Sequence, residues 1–515
     1  MSRPFQVLRS GPESSYDAVV IGAGIGGLIC ANLLARAGLS VLLIEQHFMV
    51  GGYCSTFRRK GYTFDAATHF YPLLGNPQTI TGKLLRNLGI TTGWVKMDPV
   101  DHFHFPDGSS FTAPADIDFY IAKLKQEFPE EEAAIDDFFE LVRKLYLLGL
   151  LHYFRWQDTD RLDGYRDFTV REALDKYFHD RKLKLLLAAD SGHWGSPPCR
   201  TSFVFDSMLR LSYFLGNYYP RGGSQAFADE LARRLEESGG QILMSSSVTR
   251  ILVEGGAVRG VEVATGPVHD RLVKKVRAAV VVSNADMLQT LEHMLDREYR
   301  HHPYVESVRK LRPTHPCFLT HIGVRDVPTE VLREAEGYHW DSWDADQVAH
   351  SAFKIFVPTL FEPAMAPPGG HVVIVQKLTD IDYSAIRDWP SHKDAVEQYV
   401  MTNLEKAIPG FSSKVVVKLS ASALTSHRYT LNHHGAMLGW EMSPDQLGER
   451  RPGVSGPVKN LYFVGHWTQP GGGITPVIVS AMQVAKAITE SREPAYTPAD
   501  LWREPEFAMS SEMRV

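Results

Sequence analysis

Glycines at fixed spacing and one acid near the start of the chain predict a site for phosphates and a ribose. The glycines stand in the cluster Gly22-Ala23-Gly24-Ile25-Gly26-Gly27, and Glu45 follows at about the 20-residue interval of a ribose-binding acid. Gly22 permits a tight turn, Gly24 lets a pyrophosphate approach the backbone, and Gly27 lets a helix and a strand pack closely. A helix N-terminus offers free N–H groups to phosphates. The pattern therefore predicts a dinucleotide site.

The segments around this cluster predict the βαβ unit that positions it. Residues 18–21 form a short apolar run, residues 28–37 have a helical pattern, and residues 41–44 form a second apolar run. A unit of about 30 residues with G-x-G-x-x-G at its first strand-to-helix turn is typical of dinucleotide-binding domains. The alternative is an ordinary glycine turn in an α/β core.

A second glycine-rich turn lies near the other end of the chain. Gly471-Gly472-Gly473 follows a strand pattern over residues 460–465 and precedes a helical pattern. The positive end of a helix dipole favours an electron-rich group, and the N1–C2=O edge of an isoalloxazine ring becomes anionic when the ring is reduced. The two turns together predict FAD as the cofactor. The alternative is a tight loop without a ligand.

Length, charge and cysteine content limit the classes of protein. A chain of 515 residues exceeds the size of one hydrophobic core, so we expect two domains. The formal charge of −6 argues against a nucleic-acid partner. The four cysteines lack C-x-x-C spacing, which argues against disulfides and zinc and indicates a reducing, cytoplasmic location. The N-terminus lacks the apolar segment of a secretory signal.

The order of strand and helix patterns predicts an α/β fold with a discontinuous cofactor domain. We assign residues 1–115, 220–300 and 455–490 to a FAD-binding Rossmann domain. Residues 116–219 and 301–454 are expected to form an α+β substrate domain, an antiparallel sheet with helices, that faces the membrane. The last residues, 491–515, have the composition of a loosely ordered tail.

One apolar and aromatic stretch has two interpretations. Residues 145–156 are rich in leucine and aromatic side chains and follow Arg143-Lys144. Such a stretch could lie in a bilayer interface, or it could be a buried helix of the second domain. No run in the sequence reaches the ~18 apolar residues of a transmembrane helix.

These motifs together resemble the superfamily of FAD-dependent phytoene desaturases, carotenoid isomerases and retinol saturases, which are glutathione-reductase-like flavoproteins. The similarity lies in four segments, residues 16–70, residues 219–223 with Val248, residues 282–285 and residues 460–485. The resemblance implies a glutathione-reductase-like fold and an oxidoreductase that acts on a conjugated isoprenoid.

The resemblance also implies which residues bind FAD. The ADP half would be held by Gly22, Ala23, Gly24, Gly26, Gly27, Glu45 and Gln46. Gly52 and Ser55 would lie along the pyrophosphate and ribityl chain, and the backbone of Val248 would bind adenine. The ribityl chain and the ring would be surrounded by Gly465, Gly473, Ile474 and Val477.

Two positions depart from the pattern of relatives. Amine oxidases of the wider fold carry arginine after the second Gly-Gly pair, where this chain has Tyr53, and this argues against an amine substrate. Many relatives carry Gly-Asp where this chain has Gly465-His466, so a ribityl contact from an acid is not expected here.

The sequence shows no G-x-S-x-G elbow and no paired Cys/His arrangement, and this absence suits a flavin-driven reaction, which needs no nucleophile. His69 and His466 fall within the flavin-associated motifs and could exchange a proton with a substrate or bond the reduced ring. His102 and His104 share one face of a predicted strand, but no further metal ligands accompany them, so no metal is expected. Aromatic residues between Phe203 and Tyr219 could line a polyene tunnel, or they could be core.

The sequence therefore predicts a FAD-dependent oxidoreductase for a carotenoid or retinoid, acting by desaturation, saturation or cis–trans isomerisation. A substrate dissolved in lipid implies peripheral membrane attachment, and quinone or oxygen would accept electrons. One alternative is an amine or amino-acid oxidase with a polar substrate. The other is a flavin-bound scaffold without turnover.

Overall fold

A computed structural model describes residues 4–8, 12–154, 160–266, 271–380, 382 and 386–490. The predicted C-terminal tail, residues 491–515, and part of the apolar stretch, residues 155–159, lie outside the described residues.

The first sheet contains seven strands and carries the predicted βαβ unit. Its strands in spatial order are Ser246–Glu254, Ala257–Thr265, Leu272–Ser283, Ser15–Ile21, Val41–Ile44 and Gln241–Leu243, with Leu461–Phe463 paired beside Leu272–Ser283. Strand Ser15–Ile21 runs parallel to both of its neighbours. Val19 and Val20 are fully buried although they face opposite sides, because helices or loops cover both faces of a parallel sheet.

Three long helices pack with the first sheet. They are Ile25–Arg36, Ser224–Glu237 and Ile474–Glu490. Leu28, Leu231 and Ile478, one from each helix, are buried in one hydrophobic cluster with Val20 of the sheet. The buried Asn32 side chain donates to the carbonyl of Leu231 at 2.9 Å, which joins the first two helices. The predicted Rossmann arrangement is confirmed, with the first helix beginning at Ile25.

The second sheet is mainly antiparallel, as predicted. Its strands in order are Val415–Ala421, Cys317–Arg325, Gly370–Leu378, Ala352–Phe356, Gly337–Trp340, Asp101–His104 and Ser110–Ala113. The hairpin of Asp101–His104 and Ser110–Ala113 belongs to this sheet, since Asp101–His104 pairs in parallel with Gly337–Trp340. The structure therefore differs from the domain boundary predicted at residue 115, which placed the hairpin with the cofactor domain.

Helices and short ribbons complete the described chain. The further helices of six or more residues are Ile80–Asn87, Ile117–Glu127, Glu132–Gly149, Val170–Tyr177, Arg181–Ala188, Phe203–Phe214, Pro303–Val308, Thr329–Ala335, Trp389–Ala407 and Ala423–Thr430. Two short ribbons pair Thr56–Arg59 with Tyr62–Asp65 and Trp94–Lys96 with Tyr218–Pro220.

The apolar stretch is mostly core. Leu145 and Leu148 on helix Glu132–Gly149 are buried in the same cluster as Phe203, whereas Leu147 is 45% exposed. This agrees with the buried-helix interpretation for the described part of the stretch. Within the described ranges, no helix is long and apolar enough to cross a bilayer.

Candidate functional site

One cavity of about 690 Å³ is lined by the starts of two helices that are remote in sequence. Gly24 and Gly26 line it at the start of helix Ile25–Arg36, and Gly472 and Gly473 line it at the start of helix Ile474–Glu490. Helix N-termini present unsatisfied N–H groups and a partial positive charge. The cavity is therefore suited to a ligand that carries anionic or electron-rich groups at two places.

The first glycine turn leaves no room for side chains. A Cβ at Gly27 would lie 2.0 Å from the carbonyl oxygen of Gly22, so only glycine allows this helix to pack so closely on its strand. Gly22 itself has a φ of +91°, which favours glycine. These two observations explain physically why the motif has glycines at these positions.

The two helix starts approach each other closely at Gly26. A Cβ there would lie 3.0 Å from Cγ1 of Val477 and 3.3 Å from Cα of Gly465. Gly26 belongs to the first glycine motif, whereas Val477 and Gly465 belong to the second. The fold thus brings the two predicted half-sites into contact.

Glu45 directly follows strand Val41–Ile44 and is held by backbone N–H groups. Its carboxylate accepts from Ala23 at 2.7 Å and from His47 at 2.8 Å. Burial raises the pKa of Glu45, while the bonds from His47 and Ala23 act in the opposite direction. The carboxylate lines the cavity in a fixed orientation, as recognition of ribose hydroxyls requires.

Most of the predicted site residues line this cavity. They are Gly22, Gly24, Gly26, Glu45, Gln46, Gly52, His69, Val248, Gly465, His466, Gly473, Ile474 and Val477. Ala23, Gly27 and Ser55 are not among its lining residues, and they support it instead. Ala23 donates to Glu45, Gly27 packs against Gly22, and the N–H of Ser55 donates to the carbonyl of Gly52 at 3.2 Å. The individual contacts with a cofactor stay predictions.

Asn284 is a site residue that the sequence reasoning did not single out. It follows strand Leu272–Ser283, and its amide lies between the two glycine motifs. A Cβ at Gly24 would be 2.8 Å from its Nδ2, and one at Gly465 would be 2.8 Å from its Oδ1. A polar residue at the carboxyl end of a parallel strand is the signal that could have identified it, because ligands bind at that edge.

His69 lines the cavity with both ring nitrogens unsatisfied. The side chain is buried, its ring stacks on Phe356 with centroids 4.8 Å apart, and neither nitrogen has a partner in the described part of the chain. Burial lowers the pKa of His69 well below its usual value, and the charges of His321 and Lys354 add to this effect. A neutral imidazole with free nitrogens is able to bond a ligand in the cavity.

His466 stands on a loop that a buried arginine holds. The guanidinium of Arg451 donates to the carbonyls of His466 at 2.7 Å, Trp440 at 3.1 Å and Thr468 at 3.1 Å. Burial lowers the pKa of His466 to about 3, so its ring is neutral. Arg451 thereby fixes the loop that precedes the second glycine turn.

Besides the two glycine motifs, the cavity is lined by a group of largely apolar side chains. They are Phe70, Phe205, Leu209, Tyr213, Leu319 and Met437, joined by the polar His193 and Gln376. We call this group the apolar arm. Phe205, Leu209 and Tyr213 come from the aromatic stretch 203–219, so this stretch both lines the cavity and contributes to the core. A polyene tunnel stays a prediction.

The two histidines considered as metal ligands have structural partners. His102 Nδ1 contacts the Thr112 hydroxyl at 3.0 Å, and His104 Nε2 donates to the carbonyl of Glu336 at 3.1 Å. The ring of His104 also stacks on His339. Both side chains lie in the second sheet, and neither lines the cavity.

Comparison with known families decides the class of protein. The family described as flavin containing amine oxidoreductase matches residues 25–489 of this chain. The chain belongs to this family. As a flavin-containing oxidoreductase it uses FAD, and the glycine turns, the fixed carboxylate of Glu45 and the two helix N-termini fit that cofactor.

Individual relatives of this flavoprotein carry carotenoid- and retinol-related names. It is 26% identical to a chloroplastic prolycopene isomerase of Daucus carota, over 93% of this chain and 80% of the relative. It is 28% identical to an all-trans-retinol 13,14-reductase of Rattus norvegicus, over 90% of this chain and 84% of the relative. It is 27% identical to a neurosporene-forming phytoene desaturase of Cereibacter sphaeroides, over 92% of this chain and 95% of the relative.

Solved structures share the fold of this flavoprotein. An oxidoreductase from Methanosarcina mazei is 19% identical with a TM-score of 0.63, covering 91% of this chain and 99% of the other. Wild-type putrescine oxidase bound to putrescine is 15% identical with a TM-score of 0.64, and the match covers 93% of this chain and 100% of the other. The FAD-binding Rossmann domain with an α+β substrate domain is therefore the fold of this chain.

Proposed function

We propose that this FAD-dependent oxidoreductase acts on a conjugated apolar isoprenoid, a carotenoid or retinoid, by desaturation, saturation or cis–trans isomerisation of a double bond. The observation that carries the proposal is the continuity of the apolar arm with the glycine-lined half of the same cavity. The names of the curated relatives support it, because all three refer to polyenes.

The charges around the cavity favour an apolar substrate over an amine. Among the described lining residues, Glu45 is the one carboxylate, and its oxygens already accept from Ala23 and His47. A protonated amine in the apolar arm would lack a counter-charge, and burying an unpaired charge is costly. A polyene carries no charge and would gain from burial against Phe205, Leu209 and Leu319.

The bound FAD would supply hydride acceptance or donation at its isoalloxazine ring. The chain would orient the polyene, exclude water with the apolar arm, and move protons through neutral imidazoles. We assign catalytic contacts with the substrate or the reduced ring to His69 and His466, since both line the cavity and each neutral imidazole offers one donor and one acceptor. The unsatisfied nitrogens of His69 make it the stronger candidate.

We further propose a cytoplasmic protein that attaches peripherally to a membrane and passes electrons to quinone or oxygen. Phe48 and Tyr429 are each 56% exposed, the ring of His47 contacts both, and Tyr429 also lines the cavity. An exposed aromatic pair beside the cavity would suit transfer of a substrate from a bilayer. Flotation with liposomes tests the membrane attachment. Replacing both Phe48 and Tyr429 by serine should reduce binding to the liposomes. Wild-type protein that does not float with the liposomes would contradict the attachment.

The proposed activity is tested by anaerobic titration of the holoprotein with polyenes and by expression in a carotenoid-accumulating host. Bleaching of the flavin by a polyene, or a product differing by two hydrogens, supports redox chemistry. A product of unchanged mass and new chromatographic retention supports isomerisation. Bleaching by amines alone would favour the amine-oxidase alternative, and no reaction with either class would favour the scaffold.

A further inference from the structure

A chain of four polar side chains begins in the apolar arm and runs into the core. The Tyr213 hydroxyl lies 3.1 Å from Nδ1 of His193, and Nε2 of His193 lies 3.2 Å from Nζ of Lys354. Lys354 Nζ also donates to the carboxylate of Asp101. Tyr213 and His193 line the cavity, whereas the Lys354 side chain is only 1% exposed.

The surroundings of Lys354 keep it cationic. Its ammonium lies next to the Asp101 carboxylate and over the rings of Phe70 at 4.0 Å and Tyr338 at 4.6 Å. A carboxylate and two aromatic faces both stabilise a buried cation. Burial lowers the pKa of Lys354, and Asp101 opposes that change.

The cation determines the direction of every hydrogen bond in the chain. An ammonium only donates, so Nε2 of His193 must accept. Burial also keeps the His193 ring neutral, because it lowers the pKa of His193 well below its usual value. Nδ1 of His193 therefore carries the proton and donates to the oxygen of Tyr213. The Tyr213 O–H is then left to donate to another acceptor, and no described residue takes that proton.

This orientation has a consequence for what the apolar arm binds. A pure hydrocarbon offers no acceptor to the Tyr213 hydroxyl, and an unsatisfied proton is unfavourable in a buried site. A hydroxyl or carbonyl oxygen on the ligand would accept that proton. Sites built to hydrogen-bond an oxygen reject analogues that lack it much more strongly than apolar pockets reject an added methylene.

We propose that Tyr213, oriented by His193 and Lys354, is a binding subsite for an oxygen atom of the substrate. The preferred substrate is therefore an oxygenated isoprenoid, an alcohol or a carbonyl compound, and not an unsubstituted hydrocarbon. This inference rests on the proposed function and deepens it. Phe70 contacts His193 with ring centroids 4.5 Å apart and directly follows His69, so the subsite lies beside the proposed reaction region.

The test compares binding of two probes to the holoprotein, all-trans-retinol and the hydrocarbon in which hydrogen replaces its hydroxyl. Perturbation of the flavin absorbance under anaerobic conditions reports each dissociation constant. We expect the wild type to prefer the alcohol by about tenfold or more. Tyr213→Phe keeps the ring and removes only the hydroxyl, so its preference should fall below about threefold, mainly through weaker binding of the alcohol.

Tyr146→Phe is the matched control, because Tyr146 is buried and does not line the cavity. It should keep the preference of the wild type. Equal binding of both probes by the wild type, or an unchanged preference in Tyr213→Phe with normal FAD content, overturns the subsite while leaving the proposed function intact. Failure of the wild type to bind either probe overturns the proposed function for retinoids and the subsite with it.

Discussion

The two halves of the cavity are built in different ways. The glycine-lined half consists of backbone, helix N-termini and the fixed carboxylate of Glu45, and its parts come from short contiguous motifs. The apolar arm consists of side chains from separate elements, among them Phe70, Leu209, Leu319 and Met437. We therefore expect cofactor binding to depend on local backbone geometry and, under the proposed function, substrate choice to depend on tertiary packing.

The largest expected effect comes from filling the first glycine turn with Gly27→Val. The new Cβ would lie 2.0 Å from the carbonyl oxygen of Gly22, so the helix start must move away from its strand. We expect complete loss of bound FAD, measured by flavin absorbance of the purified protein. Gly164→Val is the control, since a Cβ there meets nothing within 4 Å. Retention of FAD by Gly27→Val would show that the turn does not hold the cofactor.

The contrast between the halves explains how much the sequence revealed. Glycine spacing and Glu45 predicted the nucleotide half because close packing and a tight turn restrict residue type locally. His193, Lys354 and Asp101 gave no such signal, since they are far apart in sequence and meet only in the fold. The predicted cofactor domain includes the hairpin of residues 101–113 for the same reason, because the strand of the second sheet that pairs with it, Gly337–Trp340, is more than 200 residues away in sequence.

Asp65 connects a helix beside the first sheet to the second sheet, and it should make stability depend on pH. Its carboxylate accepts from the N–H of Ser224, which begins helix Ser224–Glu237, and its carbonyl accepts from His321 of the second sheet. Burial raises the pKa of Asp65 from 3.8 to about 6, despite bonds from Tyr219 and Ser224. The folded state therefore binds the proton more tightly than the unfolded state, and this group's contribution to stability falls as pH rises from about 4 to 6.

Asp65→Asn removes this titration. The unfolding free energy of the variant minus that of the wild type should rise by about 3 kcal/mol from pH 4 to pH 7, because only the wild type loses this contribution. Denaturant unfolding of both proteins across this pH range measures the difference. A stability difference that does not change with pH would show that Asp65 is ionised without penalty in the folded protein.

His69→Phe sharpens the comparison by separating chemistry from cofactor binding. Phenylalanine preserves the stack on Phe356 and removes two unsatisfied nitrogens, so FAD content and melting temperature should be unchanged or slightly higher. We expect turnover of a polyene to fall by about 30-fold or more, because a proton contact is lost. Undiminished turnover would leave His69 with a packing role only.

Glu45→Gln should have the smallest effect. The amide keeps one acceptor for the backbone N–H groups and loses the charge that strengthens bonds to ribose hydroxyls. We expect the dissociation constant for FAD to rise by about tenfold, measured by titration of the apoprotein. Glu298→Gln, at an exposed position outside the cavity lining, is the control. An unchanged constant in Glu45→Gln would exclude the ribose contact.

The central claim is that two helix starts from opposite ends of the chain bind the same FAD. The most direct test is the FAD content of Gly473→Val, compared with the wild type and with Gly369→Val. Both glycines have positive φ angles, but Gly369 is exposed and is not among the residues that line the cavity. We predict a single FAD per wild-type chain, wild-type content in Gly369→Val, and loss of FAD or an altered flavin spectrum in Gly473→Val. Wild-type FAD content and spectrum in Gly473→Val would contradict the claim.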